Sequence, residues 1–288
     1  MREAEETIRK KETGILRTEH RRESQERKEE KREAVKRTQS MQSSRLFKTA
    51  GTILATVTDT GLQLLYPRRC PICDSIVPQW GEKICLTCLP KLKYVAPPRC
   101  LRCGKGLKVA EQEYCGDCAH KHHYYVSGRA LYEYGSVAAS LYRLKYEGRQ
   151  EYAQAYGEEL ARYLGDFIKR VKPDALIPIP LHWTRKRKRG YNQAALLAKS
   201  LGKQVRVPVK ENLLIRVRKT APMKLLNPAE RQNNLKKAFL IRGNDVKLKT
   251  VIIVDDIYTT GATIDEAART LLEAGVEKIY FVALAVGG

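Results

Sequence analysis

The chain has 288 residues, with 54 Lys and Arg against 32 Asp and Glu, and a formal net charge of +22. This length suits one α/β domain with a smaller module. Residues 1–40 contain 13 basic and 10 acidic residues, so +19 of the excess lies beyond them. The charge favours a polyanionic partner such as nucleic acid or a phosphorylated ligand over a merely soluble basic protein.

The first 66 residues are interpreted as having no export signal and no membrane span. Residues 1–30 are charged throughout, without the apolar region that export requires, which predicts a cytoplasmic protein. Residues 1–45 are expected to be a charged extension, disordered or a single helix, because they contain too few large apolar residues to form a core. In residues 46–66, Lys48, Asp59 and five threonines interrupt the apolar run, which predicts a short amphipathic helix rather than a stable span.

The cysteines are confined to one block, in which four C-x-x-C pairs repeat every 15 residues. Two such pairs provide four thiolates for one tetrahedral ion, and closed four-cysteine sites are structural zinc sites. A reducing compartment disfavours disulfides, so we predict a double zinc ribbon over residues 67–122 with two structural zinc ions. The ligands are Cys70, Cys73, Cys85, Cys88, Cys100, Cys103, Cys115 and Cys118.

The spacing alone leaves the pairing of these cysteines open. Sequential ribbons, with residues 70–88 holding one ion and residues 100–118 the other, are the simplest arrangement, and a cross-braced one is the alternative. Eight thiols are sufficient for two ions, so we assign His120, His122 and His123 to the surface or to nucleic-acid contact.

From residue 123 to residue 288 the pattern alternates between strands and helices, which predicts an α/β domain with a parallel sheet and helices on both faces. Residues 185–189, which are all basic, are expected to form a loop. The predicted strands cover residues 128–134, 174–180, 213–217, 238–241, 251–254 and 278–285, and the predicted helices cover residues 136–146, 152–171, 192–201 and 264–274.

Residues 251–263 combine a buried strand, two carboxylates and a turn into a helix. The unpaired N–H groups at a helix start, with hydroxyls beside them and a glycine that permits close approach, form an anion site. Asp255 and Asp256 precede this turn at the carboxyl end of the strand, where open α/β sheets bind ligands. The alternative is a solvated strand end followed by an ordinary helix cap.

This stretch resembles the phosphoribosyl pyrophosphate (PRPP) motif of type I phosphoribosyltransferases, and the fold is expected to be of that type. The resemblance implies that Asp255 and Asp256, the candidate catalytic pair, hold the ribose hydroxyls. It assigns the 5′-phosphate to Thr259, Thr260, Gly261, Ala262 and Thr263, and the pyrophosphate to Arg189, Gly190, Asn192 and Gln193. Mg²⁺ would accompany PRPP, because it prefers oxygen ligands and substrate phosphates.

Three further stretches resemble the ComF family of competence proteins. Residues 177–183 read Ile-Pro-Ile-Pro-Leu-His-Trp, residues 189–193 read Arg-Gly-Tyr-Asn-Gln, and residues 218–239 resemble that family's flexible loop. Met223 departs from the family pattern, which usually has Gln after the proline. Together with the upstream cysteine block, the resemblance covers residues 64–288.

The resemblance implies a role in DNA uptake beside a helicase-like motor protein, with a pocket for PRPP or a nucleotide phosphate. Single-stranded DNA would bind the basic surface, on which Trp183, Tyr191 and tyrosines between residues 124 and 146 suit base stacking. Packing in the core is the alternative for these tyrosines. The rival hypothesis is an active phosphoribosyltransferase that joins PRPP to an unidentified nitrogenous acceptor.

Overall fold

The computed structural model describes residues 67–78, 82–218, 237–243 and 247–287. The predicted extension 1–45, the predicted helix 46–66 and most of the predicted flexible loop, including Met223, lie outside the described residues. Within the described part of the chain, no helix is both long enough and apolar enough to cross a membrane.

The central sheet has four strands, β1 (Ser127–Glu133), β2 (Ala175–Pro178), β5 (Thr250–Tyr258) and β6 (Lys278–Val286). They lie in the order β1–β6–β5–β2, and every neighbouring pair is parallel. The apolar run at the start of β5 is buried on both faces, as a central parallel strand requires. Two further strands, β3 (Leu214–Arg216) and β4 (Phe239–Ile241), form a separate antiparallel pair.

Helices cover both faces of the sheet, which confirms the predicted fold class. The longer helices are α2 (Tyr134–Tyr146), α3 (Tyr152–Val171), α5 (Gln193–Val205) and α6 (Ala262–Glu273), and the short ones are α1 (Gly116–His120) and α4 (Trp183–Arg189). Side chains alternate along β5, so Ile252 and Val254 pack in the cluster of α2, α3 and α5. Val251 and Ile253 pack in the cluster of α6, β3 and β4.

Two local predictions were wrong. The basic run 185–189 belongs to α4 rather than to a loop, because the His182 side chain accepts the N–H of Thr184 at the start of the helix and Gly190, with φ of +84°, ends it. β5 continues to Tyr258, beyond its predicted end at residue 254, so both aspartates lie within the strand.

Each cysteine tetrad begins with the same tight turn. The N–H of Asp74 donates to the carbonyl of Cys70 at 2.8 Å, and the N–H of Gly104 donates to that of Cys100 at 2.9 Å. Asp74 and Gly104 both have positive φ, of 63° and 73°. A Cβ atom on Gly104 would lie 2.5 Å from the carbonyl oxygen of Gly128, so only glycine allows the second ribbon to lie this close to β1.

The two ribbons pack on opposite faces of the sheet. Cys70 and Cys88 of the first ribbon belong to the apolar cluster of α2, α3 and α5. Cys100 and Cys103 of the second ribbon belong to the cluster of α6. Each tetrad therefore contributes two buried cysteines to the core on one face of the sheet.

Candidate functional site

The cysteines form two groups, and the grouping is sequential. Within each tetrad the four sulphur atoms all lie within 4.8 Å of one another. Sγ of Cys73 lies 3.7 Å from Sγ of Cys85, and Sγ of Cys103 lies 3.6 Å from Sγ of Cys115. A Zn–S bond of about 2.3 Å places tetrahedral ligands roughly 3.8 Å apart, so both tetrads fit zinc. All four positions of each site are supplied by thiols, which is the pattern of a structural zinc site.

The residues predicted to bind phosphate, 259–263, line a concave pocket with Asp255, at the junction of β5 and α6. Gly261 is the residue before the helix and has φ of +80°. A Cβ atom there would lie 2.7 Å from the hydroxyl of Tyr258, which gives a second reason for glycine. The helix begins at Ala262, earlier than predicted, so residues of the first turn of α6, whose N–H groups have no intrahelical partner, line this pocket.

The two aspartates at the end of β5 are both buried, with exposed fractions of 8% for Asp255 and 5% for Asp256. Burial and the adjacent Asp256 charge raise the pKa of Asp255 well above its ordinary value. Burial also opposes the ionisation of Asp256, but its ion pair with Lys145 at the end of α2 outweighs burial and lowers the pKa of Asp256. Asp256 is therefore held as a carboxylate, whereas Asp255 is the carboxyl group that resists ionisation.

Further cations approach the pair from two other elements. Arg216 of β3 stacks over the ring of Phe239, with 5.5 Å between the guanidinium and the ring centre. Burial lowers the pKa of Arg216 to about 10, nearby Arg185 of α4 adds to this effect, and Asp255 opposes it. Lys145 and Arg216 thus bring positive charge to the aspartates, and Arg185 lies near Arg216, as a phosphate-rich ligand would need.

The four residues assigned to pyrophosphate lie around the turn between α4 and α5. Arg189 donates to the side chain of Gln193, lies 5.2 Å over the ring of Tyr146, and adds to the charge that favours ionised Asp256. Asn192 is largely committed to structure, because its oxygen accepts the N–H of Ala194 at 3.1 Å and its amide donates to the carbonyl of Ile179 at 3.0 Å. Gly190 ends α4. The pyrophosphate assignment of these residues stays a prediction.

Sequence reasoning missed Lys145 and Arg216, and it misplaced His123. Lys145 looks like an ordinary basic residue in the last turn of a helix, and Arg216 looks like part of a surface strand. His123 was expected at the surface but is buried, with 3% exposed. Its ring lies between Cys118 and Asp265. The only sequence signal for His123 was its position five residues after Cys118, the last cysteine.

Fold and site together define a protein in which a double zinc ribbon is joined to a phosphoribosyltransferase-type domain. Residues 61–119 match the double zinc ribbon domain family, and residues 158–288 match the phosphoribosyl transferase domain family. The acidic pair and the predicted phosphate loop fall inside the second match, and all eight cysteines fall inside the first.

The chain belongs to the ComF family. It is 30% identical to Competence protein F of Haemophilus influenzae over 75% of this chain and 96% of that protein. It is 31% identical to Competence protein ComFC of Bacillus subtilis over 72% of this chain and 89% of that protein. It is also 28% identical to DNA utilization protein YhgH of Escherichia coli K12 over 75% of this chain and 96% of that protein.

Proposed function

We propose that this chain binds PRPP or a nucleotide 5′-phosphate at the carboxyl ends of β2 and β5, and that it acts in DNA uptake by handling single-stranded DNA in the cytoplasm. The observation that carries the ligand site is the meeting of the buried Asp255 with the start of α6 in one pocket, with Asp256 next to it in β5. The names of the relatives, two competence proteins and a DNA utilization protein, support the DNA role.

In this proposal the ribose hydroxyls donate to Asp255 and Asp256, and the 5′-phosphate accepts from the N–H groups at the start of α6. Arg189, Lys145 and Arg216 provide positive charge for a pyrophosphate group. Mg²⁺ fits beside Asp255, because a hard cation there would favour the ionised form that burial opposes. When bound, the ion would neutralise charge on the pyrophosphate.

The alternative function is an active phosphoribosyltransferase, favoured by the same cluster of cations around the acidic pair. An acceptor nitrogen would form a bond to C1 of the ribose, pyrophosphate would leave with the electron pair of the broken C–O bond, and the acceptor would lose its proton. The cations would stabilise the negative charge on the departing group. Both the transferase and a ligand sensor would bind PRPP in this pocket, but only the transferase would convert it and release pyrophosphate.

Replacing Asp255 with Asn tests the pocket, because binding and stability should change in opposite directions. Asn keeps the acceptor for the N–H of Asp256, which lies 2.8 Å away, but removes the ionisable group. We expect PRPP affinity in the presence of Mg²⁺, measured by calorimetry, to fall about tenfold or more, since charged hydrogen bonds contribute roughly 1.5–3 kcal/mol each. We expect the Tm at pH 8 to rise.

The rise in Tm follows from the direction of the pKa shift. A carboxyl group with a raised folded-state pKa contributes stability below its unfolded pKa and loses it as the pH rises through the folded value. The stabilising effect of Asn should therefore disappear in acid. Asp166→Asn, at an exposed position on α3, should change neither property. Unchanged PRPP affinity in Asp255→Asn would contradict the ribose assignment, and pyrophosphate release across a panel of bases would distinguish turnover from sensing.

The DNA part of the proposal has a defined surface near the pocket. Tyr142 and Tyr146 lie on one side of α2 with ring centres 5.0 Å apart, and both are exposed, at 55% and 65%. Lys186, Arg187 and Lys188 are exposed on α4, as is Trp183. Stacking rings beside a basic helix suit a single strand. Tyr125, Tyr132 and Tyr191 are buried and serve the core instead.

Removing the two exposed rings should weaken binding to a dT oligonucleotide. Base stacking contributes about 1–3 kcal/mol per base, so we expect Tyr142→Ala/Tyr146→Ala, which removes two rings, to lose roughly 30-fold or more in affinity by fluorescence anisotropy. Tyr163→Ala is the matched control, because Tyr163 is half exposed but its ring packs at a tilt against Tyr94 of the ribbon block, with ring centres 4.4 Å apart. Lys186→Gln/Arg187→Gln should reduce the salt dependence. An affinity for the oligonucleotide that does not change with salt concentration would contradict the assignment of DNA binding to this surface.

A helicase-like motor protein remains part of the proposal as a partner. This partner is inferred from the family resemblance. The DNA-binding surface formed by α2 and α4 is the place where a strand could pass from the motor to this chain. Co-purification with such a motor in the presence and absence of the dT oligonucleotide is the corresponding measurement.

A further inference from the structure

A buried polar bridge connects the second zinc ribbon to the first turn of α6. Nε2 of His123 lies 3.5 Å from Sγ of Cys118, and Nδ1 of the same ring lies 2.7 Å from Oδ2 of Asp265. A carboxylate only accepts, so Nδ1–H is the donor. Oδ1 of Asp265 accepts the backbone N–H of Tyr124 at 3.1 Å. Both oxygens of Asp265 are therefore held by the segment that directly follows the ribbon.

Asp265 lies at the position that closes the phosphate loop. Its own N–H donates to the carbonyl of Gly261 at 2.8 Å, which is the first helical hydrogen bond of α6. Any shift of Asp265 therefore moves the residues that present their N–H groups to the pocket. The side chain of Asp265 is 20% exposed, and the His123 side chain that holds it is 1% exposed.

A second contact path supports the first. The ring of Tyr125 stacks on His123 with centres 4.8 Å apart, and its hydroxyl lies 2.7 Å from that of Tyr258. The Tyr258 hydroxyl lies directly beneath Gly261. Cys100 and Cys103 share one apolar cluster with Tyr125 and Tyr258. The floor of the phosphate loop is thus built on the second ribbon.

We propose that the second zinc ribbon positions the phosphate loop through His123 and Asp265, so that the metal state of this ribbon controls the order of the start of α6. Zinc would fix the position of the Cys118 sulphur, the His123 ring packs against that sulphur at 3.5 Å, and Nδ1–H of the same ring holds Asp265. The metal is a positioning element here and takes no part in chemistry. The functional meaning of this link rests on the phosphate binding proposed above, whereas the link itself is measurable without a ligand.

The first ribbon provides the internal comparison, because its polar contacts go elsewhere. Asp74 accepts from Arg149 at 2.8 Å and from the hydroxyl of Tyr152. Arg143 of α2 donates to the carbonyl of Ile72 at 2.6 Å. These contacts hold the end of α2 and the start of α3. Loss of zinc from the first tetrad should therefore leave the start of α6 unchanged.

The forward test disturbs the ribbon end and measures the loop. In the full-length protein purified in the presence of zinc, His123→Ala and Cys118→Ser should each increase amide hydrogen exchange in peptides covering residues 259–268 by about tenfold or more, as expected when local opening becomes easier. Cys85→Ser in the first tetrad is the control and should not increase exchange in these peptides. Unchanged exchange in His123→Ala, or an equal increase in Cys85→Ser, would overturn the proposal.

The reverse test disturbs the helix end and measures the metal. In a Cys85→Ser background, which keeps the second tetrad alone, Asp265→Asn should speed the release of zinc to a chelator by about tenfold, the scale expected for residues that orient metal ligands. Glu266→Gln, the next acidic residue of the same turn, contacts Arg269 instead of His123 and should not. If Asp265 served only the helix, Asp265→Asn would release zinc no faster than Glu266→Gln. Equal release rates in these two variants would therefore contradict the link.

An inorganic phosphate titration separates the two proposals. If phosphate does not bind but exchange and zinc release change as expected, the link stands and the proposed ligand site fails. If phosphate binds but neither measurement changes, the ligand site stands and the link fails.

Discussion

Replacing Cys100 with Ser is expected to lower the zinc content from two ions to one and the free energy of unfolding by more than about 3 kcal/mol, because structural zinc contributes roughly 10 kcal/mol or more of binding free energy. Cys100 is completely buried, and it shares the apolar cluster of Ile264 in α6 and Phe281 in β6. The damage should therefore spread from the ribbon into the α/β domain. Elemental analysis and denaturant unfolding measure the two effects.

A substitution in the first tetrad should lower the free energy of unfolding by less than one in the second tetrad. Cys85→Ser should also leave one zinc, but Cys85 is partly exposed at the edge of the first ribbon, so we expect a smaller loss of stability. Leu86→Ser is the matched control, because Leu86 lies between the two ligands of the same pair with 79% of its surface exposed. It should retain both ions and the wild-type Tm. A Cys100→Ser protein with two ions would contradict the assignment of the second tetrad.

The features predicted correctly from the sequence are those that a short stretch determines by itself. A zinc ribbon places its ligands within a few residues on each turn, so the repeat of C-x-x-C pairs identified the eight ligands. The strand, acidic pair and helix start of residues 251–263 also follow one another along the chain. Here the apolar run specified a buried strand, and Gly261 marked the turn into the helix.

The features that the sequence did not reveal are brought together only by the fold. Lys145 ends α2 and meets Asp256 of β5, yet basic residues are common in the last turn of any helix because they complement its dipole. His123 follows the ribbon and meets Asp265 of α6, far along the chain. The α4 helix was missed for a different reason: a histidine caps its start, and histidine is not among the usual capping residues.

The buried ion pair between Lys145 and Asp256 should have a large effect on stability. Replacing Lys145 with Met leaves Asp256 buried without its partner, and breaking such a pair costs about 3–5 kcal/mol. The two side chains are 18% and 7% exposed, so water screens them little. We expect Lys145→Met and Asp256→Asn each to be strongly destabilising at pH 7, and the double variant to lose less than the sum, in a double-mutant cycle of denaturant unfolding.

The pH dependence and a matched surface pair make this prediction specific. The folded-state pKa of Asp256 is lowered, so the pair contributes stability above the unfolded pKa of about 3.9 and loses it as the pH falls through the folded value. Lys169 and Asp166, at 3.1 Å on the surface of α3, are 78% and 65% exposed and should show a coupling below about 1 kcal/mol. If the double-mutant cycle of Lys145 and Asp256 gave a coupling energy as small as that of the surface pair, Lys145 would not hold Asp256 as a carboxylate. The distinct roles of the two aspartates would then have no electrostatic basis.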